Sequence, residues 1–239
     1  MQSWNHFATY ALVKSRFGPA QEALTRKCTL SVNDRKGFSS YHYAELVRLT
    51  KTFESRYMKN VRTILDMHTQ DGTRLRQAFE RYIVKAGAHT IGAVQSLHAL
   101  PDIFAHAIYF ATGQNLLANA LPDRDIKLPK VVAALKKSPS FNSLAKPLAD
   151  VQSGEGWKHL AAVCNMSKHR SVVRAALNED WTGSRENMRQ LQVESFEHNS
   201  HSFPAMSVKD LLEPEYYRLM NSIVSIGNNL NSTLRENAA

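Results

Sequence analysis

Cysteine is scarce in this chain of 239 residues, and its scarcity excludes two classes of small stabilised domain. The two cysteines, Cys28 and Cys164, lie far apart and form no C-x-x-C spacing. Disulfide frameworks and zinc ribbons need several closely spaced cysteines, so we expect neither. Reduced thiols are typical of a cytoplasmic protein, and a chain of this length can bury a core without a metal or a disulfide.

Long apolar runs are also lacking, which argues against a membrane protein. No run approaches the roughly 18 apolar residues of a membrane-spanning helix. The first residues show no basic segment followed by an apolar core, so the sequence predicts no secretory signal and a cytoplasmic location. Internal repeats, low-complexity segments and strong enzyme signatures are missing too. We therefore expect no cofactor, and the sequence leaves open whether the chain is an enzyme.

Positive charge is abundant and concentrated in one part of the chain. The formal net charge is +9, and residues 14–85 hold 15 Lys and Arg against 7 Asp and Glu. Such a region attracts polyanions. Five cations lie largely off the apolar stripe of a predicted helix and are candidates for nucleic-acid contacts: Arg48, Lys51, Arg56, Lys59 and Arg62. The alternative is a solvated helical surface with an excess of cations.

Apolar periodicity predicts a mainly α fold: a single domain over residues 1–239, built as a bundle of long antiparallel helices. Long helices are predicted over 43–68, 73–112 and 214–234, and shorter ones around 130–137, 143–151 and 157–165. Residues 33–37 read as a turn or loop. Pro101 is expected to kink its helix or to start a new one. After His169 the period changes to about two, which predicts a small β-meander over 171–208, inserted before the last helix.

The run from Cys164 to Arg170 places a histidine, two cations and a carboxamide at the predicted end of a helix. His169 can exchange a proton near neutral pH. Lys168 and Arg170 can hold a phosphate, and Asn165 can hydrogen-bond a hydroxyl or a phosphate oxygen. These four residues are the candidate catalytic set. The alternative is that the cations only compensate the helix dipole and its free carbonyls.

Asn165-x-x-x-His169 resembles the latter part of the Arg-polar-x-x-x-His motif of the HEPN family (higher eukaryote and prokaryote nucleotide-binding domains). The Asn-x-x-Lys-His-Arg run is also similar to runs in bacterial helical proteins. HEPN domains are helical bundles, often dimeric, and many are metal-independent ribonucleases of toxin and phage-defence systems. The resemblance implies that His169 transfers a proton at the RNA 2′-hydroxyl, that Asn165 fills the polar position, and that a homodimer is a candidate state. Cys164 replaces the arginine of the motif. A second spacing, Arg62-x5-His68, lacks the polar residue after the arginine.

His98, Asp102 and His106 follow one another at intervals of four, which places them along one side of a helix. Two histidines and a carboxylate are suitable ligands for zinc or iron. Pro101 interrupts the set, and no further ligand is evident, so we expect no stoichiometric metal. The three residues could instead support the Asn165–Arg170 set, or serve as histidines hydrogen-bonded at the edge of the core.

Three function classes follow from these patterns. The first is an RNA- or nucleotide-binding protein similar to HEPN domains, with ribonuclease activity at His169 in a bacterial defence or toxin system. The second is a non-catalytic helical scaffold that binds a partner. The third is a metal-dependent helical enzyme that uses His98, Asp102 and His106. We rank them in this order.

Overall fold

The computed structural model describes residues 3–59, 63–64, 73–185 and 187–236. The chain is mainly α with a small antiparallel meander before the last helix, which confirms the predicted fold class. The described residues contain seven α-helices: α1 (His6–Phe17), α2 (Pro19–Phe53), α3 (Thr73–Ala111), α4 (Leu128–Lys136), α5 (Ala145–Asp150), α6 (Glu155–His169) and α7 (Val208–Glu236). A π-helical turn, Glu54–Met58, follows α2 directly.

Several helix boundaries differ from the sequence prediction, and the helix predicted over 43–68 spans Pro19–Phe53 as α2. Residues 33–37 belong to α2 rather than to a loop. The helical cost of Gly37 and its Asn and Asp neighbours, up to about 1 kcal/mol each, is offset by burial of Val32 and Leu46 on the same helix. Helix α3 continues through Pro101 without a new start, and the alternative of a kink there stays a prediction. Helix α7 begins before Pro214 and contains it. The Ser207 hydroxyl accepts the Asp210 N–H and so caps the start of α7.

The strands form two small antiparallel groups. A three-stranded sheet has the order β1 (Ala175–Glu179), β2 (Arg189–Val193), β5 (Met206–Ser207). A hairpin joins β3 (Phe196–His198) to β4 (His201–Phe203). In the sheet Ala175 faces Val193 and Glu179 faces Arg189. The predicted change of period after His169 is therefore confirmed, although the strands are shorter than expected.

The chain forms two compact units. The first comprises residues 1–36, 98–158 and 215–239, and the second comprises residues 37–97 and 159–214. Phe104, Tyr109, Leu148 and Leu219 are fully buried in the first unit. Leu97, Leu160 and Leu211 are fully buried in the second unit, where Phe53 stacks on Tyr82 at 4.5 Å between ring centroids. The single domain over 1–239 stays a prediction. Among the described residues, no helix has the length and apolarity needed to cross a bilayer.

Candidate functional site

The candidate catalytic run lies in the last turns of α6. The helix buries Leu160, Val163 and Cys164 on its apolar face. It ends where the N–H groups of Arg170 and Ser171 both bond to the Met166 carbonyl. Beyond that point the chain extends toward β1. The structure therefore places the run at a helix end, as the sequence predicts.

Its polar side chains face solvent. Lys168, His169 and Arg170 are exposed, and Asn165 is half-buried. The Arg170 guanidinium donates to the Asn199 side-chain oxygen at 3.5 Å, the outer limit of a hydrogen bond. Exposure lets all four side chains reach a ligand. The end of a helix carries partial negative charge, which opposes an incoming phosphate, so part of the Lys168 charge serves the helix itself.

Cys164, which replaces the motif arginine, lies inside the protein. Its side chain has no solvent exposure. Burial raises the pKa of its thiol, and nearby Lys168 opposes this rise. A protonated, buried thiol is a poor nucleophile. The position that carries the phosphate-binding arginine in HEPN domains therefore cannot present a side chain to solvent here.

The cations predicted to bind nucleic acid lie on α2 and the turn that follows it. Arg48, Lys51, Arg56 and Lys59 are all exposed. Arg48 bonds to the Glu45 carboxylate at 2.7 Å, and Arg56 lies over the Tyr57 ring at 5.4 Å from its centroid. Arg62 and His68 lie outside the described residues.

Helix α3 carries a further row of cations, which belong to the basic region 14–85 of the sequence. Arg74, Arg81 and Lys85 are seven and four residues apart, so they share one side of the helix. All three are exposed. The described residues of 37–97 hold eight Lys and Arg but only three Glu, at positions 45, 54 and 80. Arg48, Arg56 and Arg76 are exposed as well. We call five of the exposed cations the basic surface: Lys51, Lys59, Arg74, Arg81 and Lys85.

His98, Asp102 and His106 contact other groups in the first unit. The His98 ring stacks on Trp157 at 5.5 Å between centroids. Asp102 accepts the Leu128 N–H at the start of α4, and His106 Nδ1 lies 3.0 Å from the Asp102 carbonyl oxygen. The described residues contain no group of three or more His, Cys, Asp or Glu arranged to hold a metal. Asn165–Arg170 belong to the second unit, and a supporting role for these three residues stays a prediction.

Two histidine arrangements in the second unit carried no sequence signal. His42 on α2 and His89 on α3 lie with their Nδ1 atoms 3.0 Å apart. His159 on α6 is 4% exposed and packs against Phe196 and Phe203, and its Nε2 has no hydrogen-bond partner among the described residues. Both arrangements depend on contacts distant in sequence, which periodicity cannot predict.

The chain matches no known protein-family model, no curated protein and no solved structure. The resemblance to HEPN domains therefore rests on the Asn165–His169 spacing alone.

Proposed function

We propose that this protein binds RNA through its basic surface, with little dependence on base sequence. The observation that supports this most is the exposed row Arg74, Arg81 and Lys85 on α3, in a region that holds few carboxylates. Of those carboxylates, Glu45 is paired with Arg48 and Glu54 is half-buried, and only Glu80, beside Arg81, is exposed. Little negative charge therefore competes with a phosphate backbone, which binds chiefly by releasing its counterions.

A fluorescent single-stranded uridine oligonucleotide, titrated between about 50 and 200 mM salt, tests this binding. The variant Arg81→Glu/Lys85→Glu should bind at least about tenfold more weakly and show a salt slope smaller by about 1.4, the value for two lost contacts on a single strand. Lys136→Glu/Lys137→Glu makes the same charge change at two exposed positions of the first unit and should bind nearly as well as the parent. Equal weakening by both variants would show that only net charge matters.

RNA cleavage at His169 belongs to the same proposal as a separate step. Asn165 and His169 retain the family spacing, and His169 is exposed. In this scheme His169 accepts the 2′-hydroxyl proton as the 2′-oxygen attacks the adjacent phosphorus, and Lys168 and Arg170 neutralise the phosphate. The bond from phosphorus to the 5′-oxygen breaks, and the leaving 5′-oxygen takes a proton from water, which gives a 2′,3′-cyclic phosphate and a 5′-hydroxyl. The buried Cys164 argues for binding without cleavage. Incubating labelled RNA with the parent protein and chelator, beside His169→Ala, decides whether cleavage accompanies binding.

A cytoplasmic location, a role in bacterial defence and a homodimeric state complete the proposal. The free thiols Cys28 and Cys164 suit a reducing compartment, and the other two features follow only from the family resemblance. Sedimentation of the purified protein over a range of concentrations tests the dimer.

A further inference from the structure

A long apolar groove lies in the second unit between α3 and β1. Its volume is about 810 Å³. Ile83, Val84, Gly87 and Ile91 form its helical wall, and the chain from Val172 to Leu177 forms the opposite wall. Val84 and Val172 are 72% and 62% exposed, which is unusual for large apolar side chains. The groove therefore presents apolar surface that the described chain leaves open to solvent.

The strand wall consists of backbone as well as side chains. Six consecutive residues, 172–177, line the groove. Three of them, Ala175, Ala176 and Leu177, belong to β1. Side chains of a strand alternate between two faces, so consecutive residues of β1 meet the groove at the edge of the strand. In the sheet order, β1 has β2 on one side and no described strand on the other. The groove therefore runs along the open edge of β1.

The register shows which backbone groups face the groove. The Glu194 N–H bonds to the Arg174 carbonyl, and the Asp180 N–H bonds to the Met188 carbonyl. Antiparallel pairing alternates, so even-numbered residues of β1 point their backbone groups toward β2. Ala175 and Leu177 must then point theirs toward the groove.

The flanking residue Val173 follows the same pattern, because its N–H turns away from β2 and bonds to the Ser167 hydroxyl. Backbone groups that lie against apolar surface without a partner are costly. Two alternate residues of one strand edge, Ala175 and Leu177, with outward-facing N–H and C=O groups are the hydrogen-bonding template to which an added strand binds.

We propose that the groove binds an extended segment of a partner protein, which adds to β1 as a further strand and places apolar side chains at alternate positions against α3. The helical wall from Phe79 to Gln95 is about 24 Å long at 1.5 Å per residue. Six strand residues extend about 20 Å. The groove thus fits a segment of about six residues.

The occupant is a partner segment rather than β1 of a second copy. An added strand needs a free edge and room on both of its sides. In a second copy, β1 already has β2 along one edge and α3 beside the other edge. The β1 strand of that copy therefore cannot enter the groove of the first copy while its own α3 stays in place. One cation, Arg174, and one anion, Glu194, both line the groove. The groove therefore does not select a segment by charge of one sign, and we expect the apolar positions of the segment to determine recognition.

Gly87 provides the sharpest test. A Cβ atom at this position would meet no atom within 4 Å, so the backbone accepts a side chain here, and Gly87→Leu directs that side chain into the groove. Gly37 is also helical and equally unobstructed but does not line the groove, so Gly37→Leu is the matched control. The probe is a displayed library of random segments of about ten residues, selected on the parent protein.

The proposal predicts that the enriched segments have apolar residues at every second position. These segments should bind the Gly37→Leu variant as tightly as they bind the parent, and should bind the Gly87→Leu variant at least about tenfold more weakly. Synthetic copies should slow amide hydrogen exchange at Ala175 and Leu177. Three results would overturn the proposal. The enriched segments could lack this alternation, the parent could enrich no more segments than Gly87→Leu does, or amide exchange at Ala175 and Leu177 could stay unchanged. A parent dimer that Gly87→Leu dissociates would assign the groove to a second copy instead.

Discussion

The Nδ1 atoms of His42 and His89 lie 3.0 Å apart, so one imidazole must donate a proton while the other accepts it. This bond joins α2 to α3 within the second unit. Burial, followed by the neighbouring His89, lowers the pKa of His42. The pair is therefore stable only while at least one of the two rings is neutral.

Acidification should destabilise the protein through this pair. Because the pKa of His42 is lower in the folded state, its contribution is complete above the unfolded value of 6.5 and is lost as pH falls below 6.5 toward the folded value. His42→Gln should lose less stability than the parent between about pH 7 and pH 5, as measured by urea unfolding. Equal losses in the two proteins would show that His42 is not responsible.

Two glycines of α3 should respond oppositely to the same substitution. Gly87→Ala should stabilise the protein by about 0.5–1 kcal/mol, because alanine favours the helix and its methyl group has open space. Gly92→Ala should destabilise it, because the new methyl group would lie within 3 Å of the His42 ring and displace it from His89. Thermal unfolding of both variants measures the difference. A stabilised Gly92→Ala would contradict the close packing of His42.

His159 should destabilise the folded protein at acidic pH. Burial lowers its pKa, so its contribution is also present above 6.5 and lost as pH falls below that value. His159→Phe replaces a buried ring nitrogen, which has no hydrogen-bond partner within the described part of the chain, with an apolar ring beside Phe196 and Phe203. The variant should be more stable than the parent by roughly 1 kcal/mol at about pH 5. Equal unfolding midpoints at that pH would contradict this account.

The ion pair between Glu179 and Arg189 should matter far more than an exposed pair. Their side chains are 3% and 16% exposed, and Glu179 also accepts the Ile64 N–H. Glu179→Gln replaces a buried, ion-paired carboxylate with a neutral amide and should cost roughly 2 kcal/mol in denaturant unfolding. Glu45→Gln breaks the exposed pair with Arg48 and should change stability little. Similar effects of the two variants would contradict the dependence on burial.

Substitutions at His169 and Cys164 should distinguish effects on RNA cleavage from effects on stability. His169→Ala should leave the melting temperature unchanged, because its side chain is exposed. If the parent cleaves RNA, the same variant should lose roughly 10²–10⁴-fold in rate. Cys164→Arg should unfold readily, because it places a guanidinium in the core, whereas Cys164→Ser should fold. A stable, more active Cys164→Arg would show that this position can reach solvent.

Local patterns predicted much of the fold. The apolar periodicity over 73–112 predicted α3, which spans Thr73–Ala111. The change to strands after His169 was also readable from the period. The prediction of a turn or loop over residues 33–37 was wrong. Turn propensities of about 1 kcal/mol per residue are outweighed by the free energy gained when a long helix buries its apolar side chains.

The candidate site was less predictable, because solvent exposure is a tertiary property. Sequence placed His169 at a helix end but could not show that Cys164 is buried beside it. The contact between His42 and His89 joins residues far apart in the chain, and the groove beside β1 depends on a sheet order that no local pattern specifies. Helical spacing alone would have identified Arg74, Arg81 and Lys85 as one row.

The open edge of β1 also has a consequence for handling the protein. Strands with outward-facing backbone groups recruit any extended chain, including partly unfolded copies during heating or concentration. Arg174, exposed at the start of this edge, keeps a charge beside it and slows such pairing. We therefore expect Arg174→Val to precipitate on warming well before its unfolding midpoint, while the parent stays clear.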